Sequence, residues 1–122
     1  MGAEEFDADL LARLRSVVRP GDVIPTLSRG NPNRIEAIHE LGVDVTTEHS
    51  LETAGGSSLV PAWMFNDVWD ELRRRGSVDR DHMDRLRTTR KIKRSSAVFA
   101  ILERLPEVTV VTRRPLVIGR AK

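Results

Sequence analysis

Residues 85–105 read RLRTTRKIKRSSAVFAILERL, two patterns set back to back. The first ten residues hold six cations, Arg85, Arg87, Arg90, Lys91, Lys93 and Arg94, with no acid between them. Val98, Ile101, Leu102 and Leu105 then recur at i, i+3, i+4 and i+7, the spacing of one helical face. Ser95 is of the type that caps a helix, and Pro106 stops one because it pushes its predecessor out of the α region. The spacing predicts a helix over 95–105 with a cationic entrance. A helix start offers free N–H groups and the positive end of the dipole, so this entrance suits an anionic backbone.

Downstream, Val108–Thr112 and Leu116–Ile118 are β-branched and apolar runs, read as two strands joined by a turn at Arg113-Arg114-Pro115. Upstream, Trp63, Phe65, Val68, Trp69 and Leu72 recur on one face. They predict a helix with Ser58 as cap, Pro61 in its first turn and Gly76 as its stop. Ser77 or Asp79 then caps a short second helix marked by Met83 and Leu86 and ending near Arg87.

The N-terminal half has a different rhythm. Phe6, Leu10, Leu11, Leu14, Val17 and Val18 form a helical stripe over 4–18, ended by Pro20-Gly21. Short apolar segments separated by turn residues follow, predicting an antiparallel meander with strands near 22–28, 34–40 and 43–48. A helix over 33–41 is the competing reading of Ile35, Ala37, Ile38 and Leu41. Thr53-Ala54-Gly55-Gly56-Ser57-Ser58 is a connection by composition. The chain is therefore expected to be α+β. A helix and a small β-meander occupy 1–58, and three helices with a β-hairpin occupy 59–122, the two forming one compact unit.

Net charge is +2 over 122 residues, but the average hides a skew. Residues 1–60 carry five arginines against ten acids, a net −5, and residues 61–122 carry fifteen Arg and Lys against eight acids, a net +7. Such asymmetry points the basic half at an anionic partner. No cysteine is present, which removes disulfide scaffolds, cysteine-based zinc sites and thiol nucleophiles. No apolar run of membrane-spanning length exists, and the acidic start Met-Gly-Ala-Glu-Glu lacks the basic-then-apolar order of a secretory signal. The expected address is the cytoplasm.

Three helices followed by a hairpin with a basic tip, over residues 60–119, resemble a winged helix-turn-helix DNA-binding domain. That resemblance implies that the helix at 95–105 lies against duplex DNA and that the hairpin touches its backbone or minor groove. The implied nucleic-acid-binding residues are Arg87, Arg90, Lys91, Lys93, Arg94, Ser95 and Ser96, with Arg113 and Arg114 at the wing tip. The helix departs from the pattern through Ala97–Leu102, which lacks the Arg, Lys, Asn or Gln side chains that read base edges. Phosphate contact is the expected mode. More loosely, Ile24-Pro25-Thr26-Leu27 with Asn33-Arg34-Ile35, then Gly42–Glu48, then Arg94-Ser95-Ser96 resemble accessory modules of bacterial restriction and phage-defence proteins. Arg29, Asn33 and Arg34 around the Ser28–Asn33 loop are secondary candidates for nucleic-acid contact.

Enzymatic chemistry finds no constellation. His39 and His49 lie near Glu40, Asp44 and Glu48 but match no helix-based His-Glu-x-x-His pattern, and no metal or other cofactor is expected. Ser57-Ser58 lacks a nucleophile elbow, and Ser28–Asn31 lacks the Gly-Lys-Ser/Thr of a P-loop. No catalytic residue, small-molecule substrate or membrane partner is expected. Trp69 is read as core, since large aromatics on an apolar helical face usually pack. The expectation is a non-enzymatic DNA-binding protein, a regulator or defence accessory module, with RNA as the second polymer and a homodimer as the assembly. The alternative is a protein-interaction subunit whose acidic and basic halves are complementary, with the helix at 4–18 exchanged between copies.

Overall fold

The computed structural model describes residues 5–27, 30–47, 58–79, 95–113 and 116–120. Within them the chain is α+β, with three helices and two antiparallel sheets. Helix α1 spans Ala8–Val17. Asp7 caps it, its carboxylate accepting from the Leu10 N–H at 3.0 Å. The stripe read from sequence faces inward at Leu10 and Leu14, and Phe6 joins it from before the helix. The Phe6 N–H donates to the Glu40 carbonyl, and its ring sits 5.2 Å from that of Phe65.

Strands β1 (Val23–Pro25), β2 (Pro32–His39), β3 (Gly42–Thr46) and β4 (Ser58–Pro61) form the first sheet in that order. The meander is present, and 32–39 is a strand and not a helix. Ile35, Val43 and Val45 are fully buried, as a sheet with one face on a core requires. One expectation is corrected here. Ser58 does not cap the following helix, because Ser58–Pro61 pairs with β3, with Val43 opposite Val60. Helix α2 (Ala62–Arg75) starts directly from that strand with Pro61 at the cap position. Val60 is buried while Leu59 is exposed, the alternation of a strand too short to show periodicity.

Gly76 ends α2 in the left-handed conformation, φ 85°, and its N–H donates to the Leu72 carbonyl. The expected restart at Ser77–Asp79 is corrected too. It forms strand β5, with Val78 buried opposite Ile118. The second helix expected near Met83–Arg87 lies outside the described residues. Helix α3 runs Ser95–Leu102, shorter than the predicted 95–105. Arg104 and Leu105 donate to the Ile101 and Leu102 carbonyls in tighter i−3 bonds, and Leu105 stays buried ahead of Pro106. Strands β6 (Val108–Arg113) and β7 (Leu116–Arg120) form the expected hairpin, and the second sheet is ordered β5-β7-β6. One hydrophobic cluster draws on α1, both sheets, α2 and α3. Among the described residues no helix is long and apolar enough to cross a membrane.

Candidate nucleic-acid interface

Every residue of α3 from Ala97 to Leu102 is buried, at 5% exposure or less. Six consecutive helical residues cover more than one and a half turns, so no side of this stretch faces solvent. It packs against α2 and β1 and belongs to the shared core. In sequence the basic run 85–94 comes immediately before this helix, whose residues from Ala97 are anchored in the core. Arg87, Arg90, Lys91, Lys93 and Arg94 lie outside the described residues. Ser95 and Ser96 form the first two positions of α3.

The hairpin stands on β5. The β7 strand lies between β5 and β6, with Ser77 opposite Gly119 and Thr109 opposite Gly119 on the other side. Only a small residue fits at Gly119, because a Cβ there would sit 2.9 Å from Val111 Cγ2 and 3.1 Å from the Gly76 carbonyl oxygen. A bulge between Val110 and Thr112 precedes the tip and adds local twist. Arg113 ends β6, and Arg114 lies outside the described residues.

No family model, curated protein or solved structure matches this chain. The site rests on its own geometry.

The second group of candidates surrounds the β1–β2 loop. Asn33 is 4% exposed, and its Nδ2 donates to the Ile24 carbonyl at 3.0 Å and, at 3.4 Å, to that of Asn31. Thr26 completes the turn, its N–H donating to Asn31 O and its Oγ1 accepting from the Asn31 N–H. Asn33 thus shapes the loop from inside. Arg29 lies outside the described residues. Arg34 is exposed, with Nε 3.5 Å from Glu36 Oε2, an oxygen that also accepts from Thr46 Oγ1. Asn33→Ala removes the buried hydrogen bond from the amide to the Ile24 carbonyl, which costs about 1–3 kcal/mol. Urea denaturation measures it, and a midpoint equal to wild type would mean the amide does not hold the loop.

His39 Nε2 lies 3.3 Å from Asp44 Oδ2, while Glu48 and His49 lie outside the described residues. Trp69 is 6% exposed and Trp63 9%, so both indoles are core. Arg13 stands over the Trp69 ring at 5.9 Å and pairs with Asp9 and Glu107, tying α1 to α2 and to the turn before β6. The apolar stripe of α1 is thereby occupied within its own chain. A groove of about 190 Å³ beside Val23 and Arg104 falls below the ~300 Å³ at which pockets for drug-sized ligands begin.

One cationic group carries no signal of a site in the sequence. Arg73, Arg74 and Arg75 close α2 and are exposed, and the Arg120 N–H donates to the Gly76 carbonyl at 2.9 Å. That bond brings the end of β7 against the end of α2. Arg73–Arg75 read from sequence only as a favourable helix end, and the partner from β7 is legible only through the β5–β7 pairing.

Proposed function

We propose that this protein binds nucleic acid, with duplex DNA the expected polymer, mainly through the phosphate backbone. The contact surface is Arg87, Arg90, Lys91, Lys93 and Arg94 with the Ser95-Ser96 helix start, joined by Arg113 and Arg114 at the hairpin tip. The observation that carries the reading is the burial of Ala97–Leu102 directly after the basic run. A helix buried all round has no face left to enter a groove and read bases. What remains for a ligand is cationic charge held at an anchored helix start, which fixes position on a backbone without a base code. The β5-β7-β6 order supports a winged-helix-like unit that begins after Pro61, because β5 ties the hairpin to the end of α2 while Ser58–Pro61 pairs with the first sheet. A regulator or a defence-system accessory module is the role that fits such a surface.

A gel-shift salt titration with duplex DNA, single-stranded DNA and RNA in parallel tests the reading. Affinity falls linearly with salt on a log–log scale, since binding releases condensed counterions. Arg90→Ala with Arg94→Ala lowers affinity and flattens the slope by about 0.9 for each phosphate no longer neutralised, about 1.8 in all. An unchanged slope in the double variant would remove the basic run from the interface.

A further inference from the structure

The end of α2 carries a second cationic surface, built differently from the first. Glu71 is 6% exposed, and its two oxygens are both engaged, Oε1 by Arg74 Nη2 at 2.9 Å and Oε2 by Arg75 Nε at 3.2 Å. A buried carboxylate thus holds two guanidinium groups that are themselves about three-quarters exposed, at 73% and 75%. Guanidinium carries five donors, so each keeps N–H groups free to face outward. Arg73 and Arg120 add two more exposed guanidinium groups, and among the described residues neither has an ion-pair partner. Asp70, one turn back on α2, makes no ion pair with Arg73 or Arg74.

Cations in the last turn complement the helix dipole, and that accounts for Arg73, Arg74 and Arg75 as a local preference. It does not account for Arg120, which comes from another element and whose backbone N–H bonds to the Gly76 carbonyl just past the end of that helix. Arg74 and Arg75 share the one Glu71 carboxylate, and Arg73 adds a further positive charge on the same last turn, a local excess that favours an anion. Planar forks of this kind match phosphate geometry better than ammonium groups do.

We infer that Arg73, Arg74, Arg75 and Arg120 form a second phosphate-contacting surface, separate from the hairpin tip. Leu116 to Arg120 spans about 14 Å at strand rise, so this cluster lies at the opposite end of β7 from the tip. A nucleic acid engaged at the tip and running along the sheet meets the cluster further along its backbone. The inference rests on the nucleic-acid reading and extends its footprint.

The test is the duplex-DNA salt titration repeated on Arg73→Ala with Arg120→Ala, leaving the Glu71-bound pair in place. The slope is expected to fall by about 1.8, so that over a fourfold rise in salt wild type loses about tenfold more affinity than the variant. Arg73→Lys with Arg120→Lys keeps the charge and is expected to keep the slope. If wild type binds and the alanine pair leaves the slope unchanged, this surface is not in the interface, and the basic run stands or falls on its own double variant. If the slope drops here but not in Arg90→Ala with Arg94→Ala, the cluster stands and the contact at 85–94 falls. If wild type binds none of the three polymers, both inferences fall together.

Discussion

Phe99→Ala is expected to cost about 3–5 kcal/mol of folding free energy, the range for deleting a buried phenyl ring. Phe99 is fully buried in a helix whose other residues from Ala97 to Leu102 are buried too. No neighbouring side faces water, so the surroundings have little room to relax into the space the ring leaves. Domain stabilities of about 5–15 kcal/mol make this about a fifth of the total or more. For a chain of this length the melting temperature should drop by about 12–20 °C, at roughly 4 °C per kcal/mol. Circular dichroism melts measure it. A drop under about 3 °C would mean that α3 is not part of the cooperative core. Arg90→Ala with Arg94→Ala is the counterpart: on the proposed reading it should alter DNA affinity while leaving the melt within about 0.5 kcal/mol of wild type, the usual result where a substitution removes no packing. Loss of stability in one variant and of binding in the other separates the helix that anchors from the segment that contacts.

The character of α3 was partly legible in the sequence. The lack of base-reading side chains in Ala97–Leu102 pointed to phosphate contact, and the complete burial of those residues supplies a physical reason for their composition. Helices α1 and α2 were legible because their apolar residues repeat over several turns, and β2, β3, β6 and β7 because β-branched runs are bounded by turn residues. Strands β4 and β5 were not. Val60 in one and Val78 in the other are the buried positions among the described side chains, and each strand is defined by a partner elsewhere, β3 or β7. Local pattern carries no information on such pairings. The same limit hid the proposed arginine surface, since the Arg120 backbone meets Gly76 at the end of α2 only through the second sheet. Asn33 illustrates a different gap: residue type suggested a polar contact with nucleic acid, and burial turns its amide toward the Ile24 carbonyl.

Gly42→Ala should be strongly disruptive, at about 3–5 kcal/mol once backbone strain and broken strand hydrogen bonds are combined. Gly42 opens β3 with φ 151°, outside the range L side chains favour. A Cβ there would meet the Val60 carbonyl oxygen at 2.2 Å, Leu59 Cδ1 at 2.9 Å and Pro61 Cα at 3.1 Å. Two of these three atoms are backbone, so the clash cannot be relieved by turning a side chain. Strand β4 must move away from β3, and with it the bond from the Ala62 N–H to the Leu41 carbonyl that seats the first residue of α2. Gly21→Ala is the control. Gly21 has φ 96° but open space where its Cβ would go, so only the conformational term of about 1–3 kcal/mol applies. Chemical denaturation ranks the two, and amide exchange at Val43 and Val45 reports the β3–β4 ladder directly. Equal stability for the two variants would mean that β4 yields without loss, and that the entry of α2, whose far end holds Arg73, Arg74 and Arg75, is not fixed by this sheet.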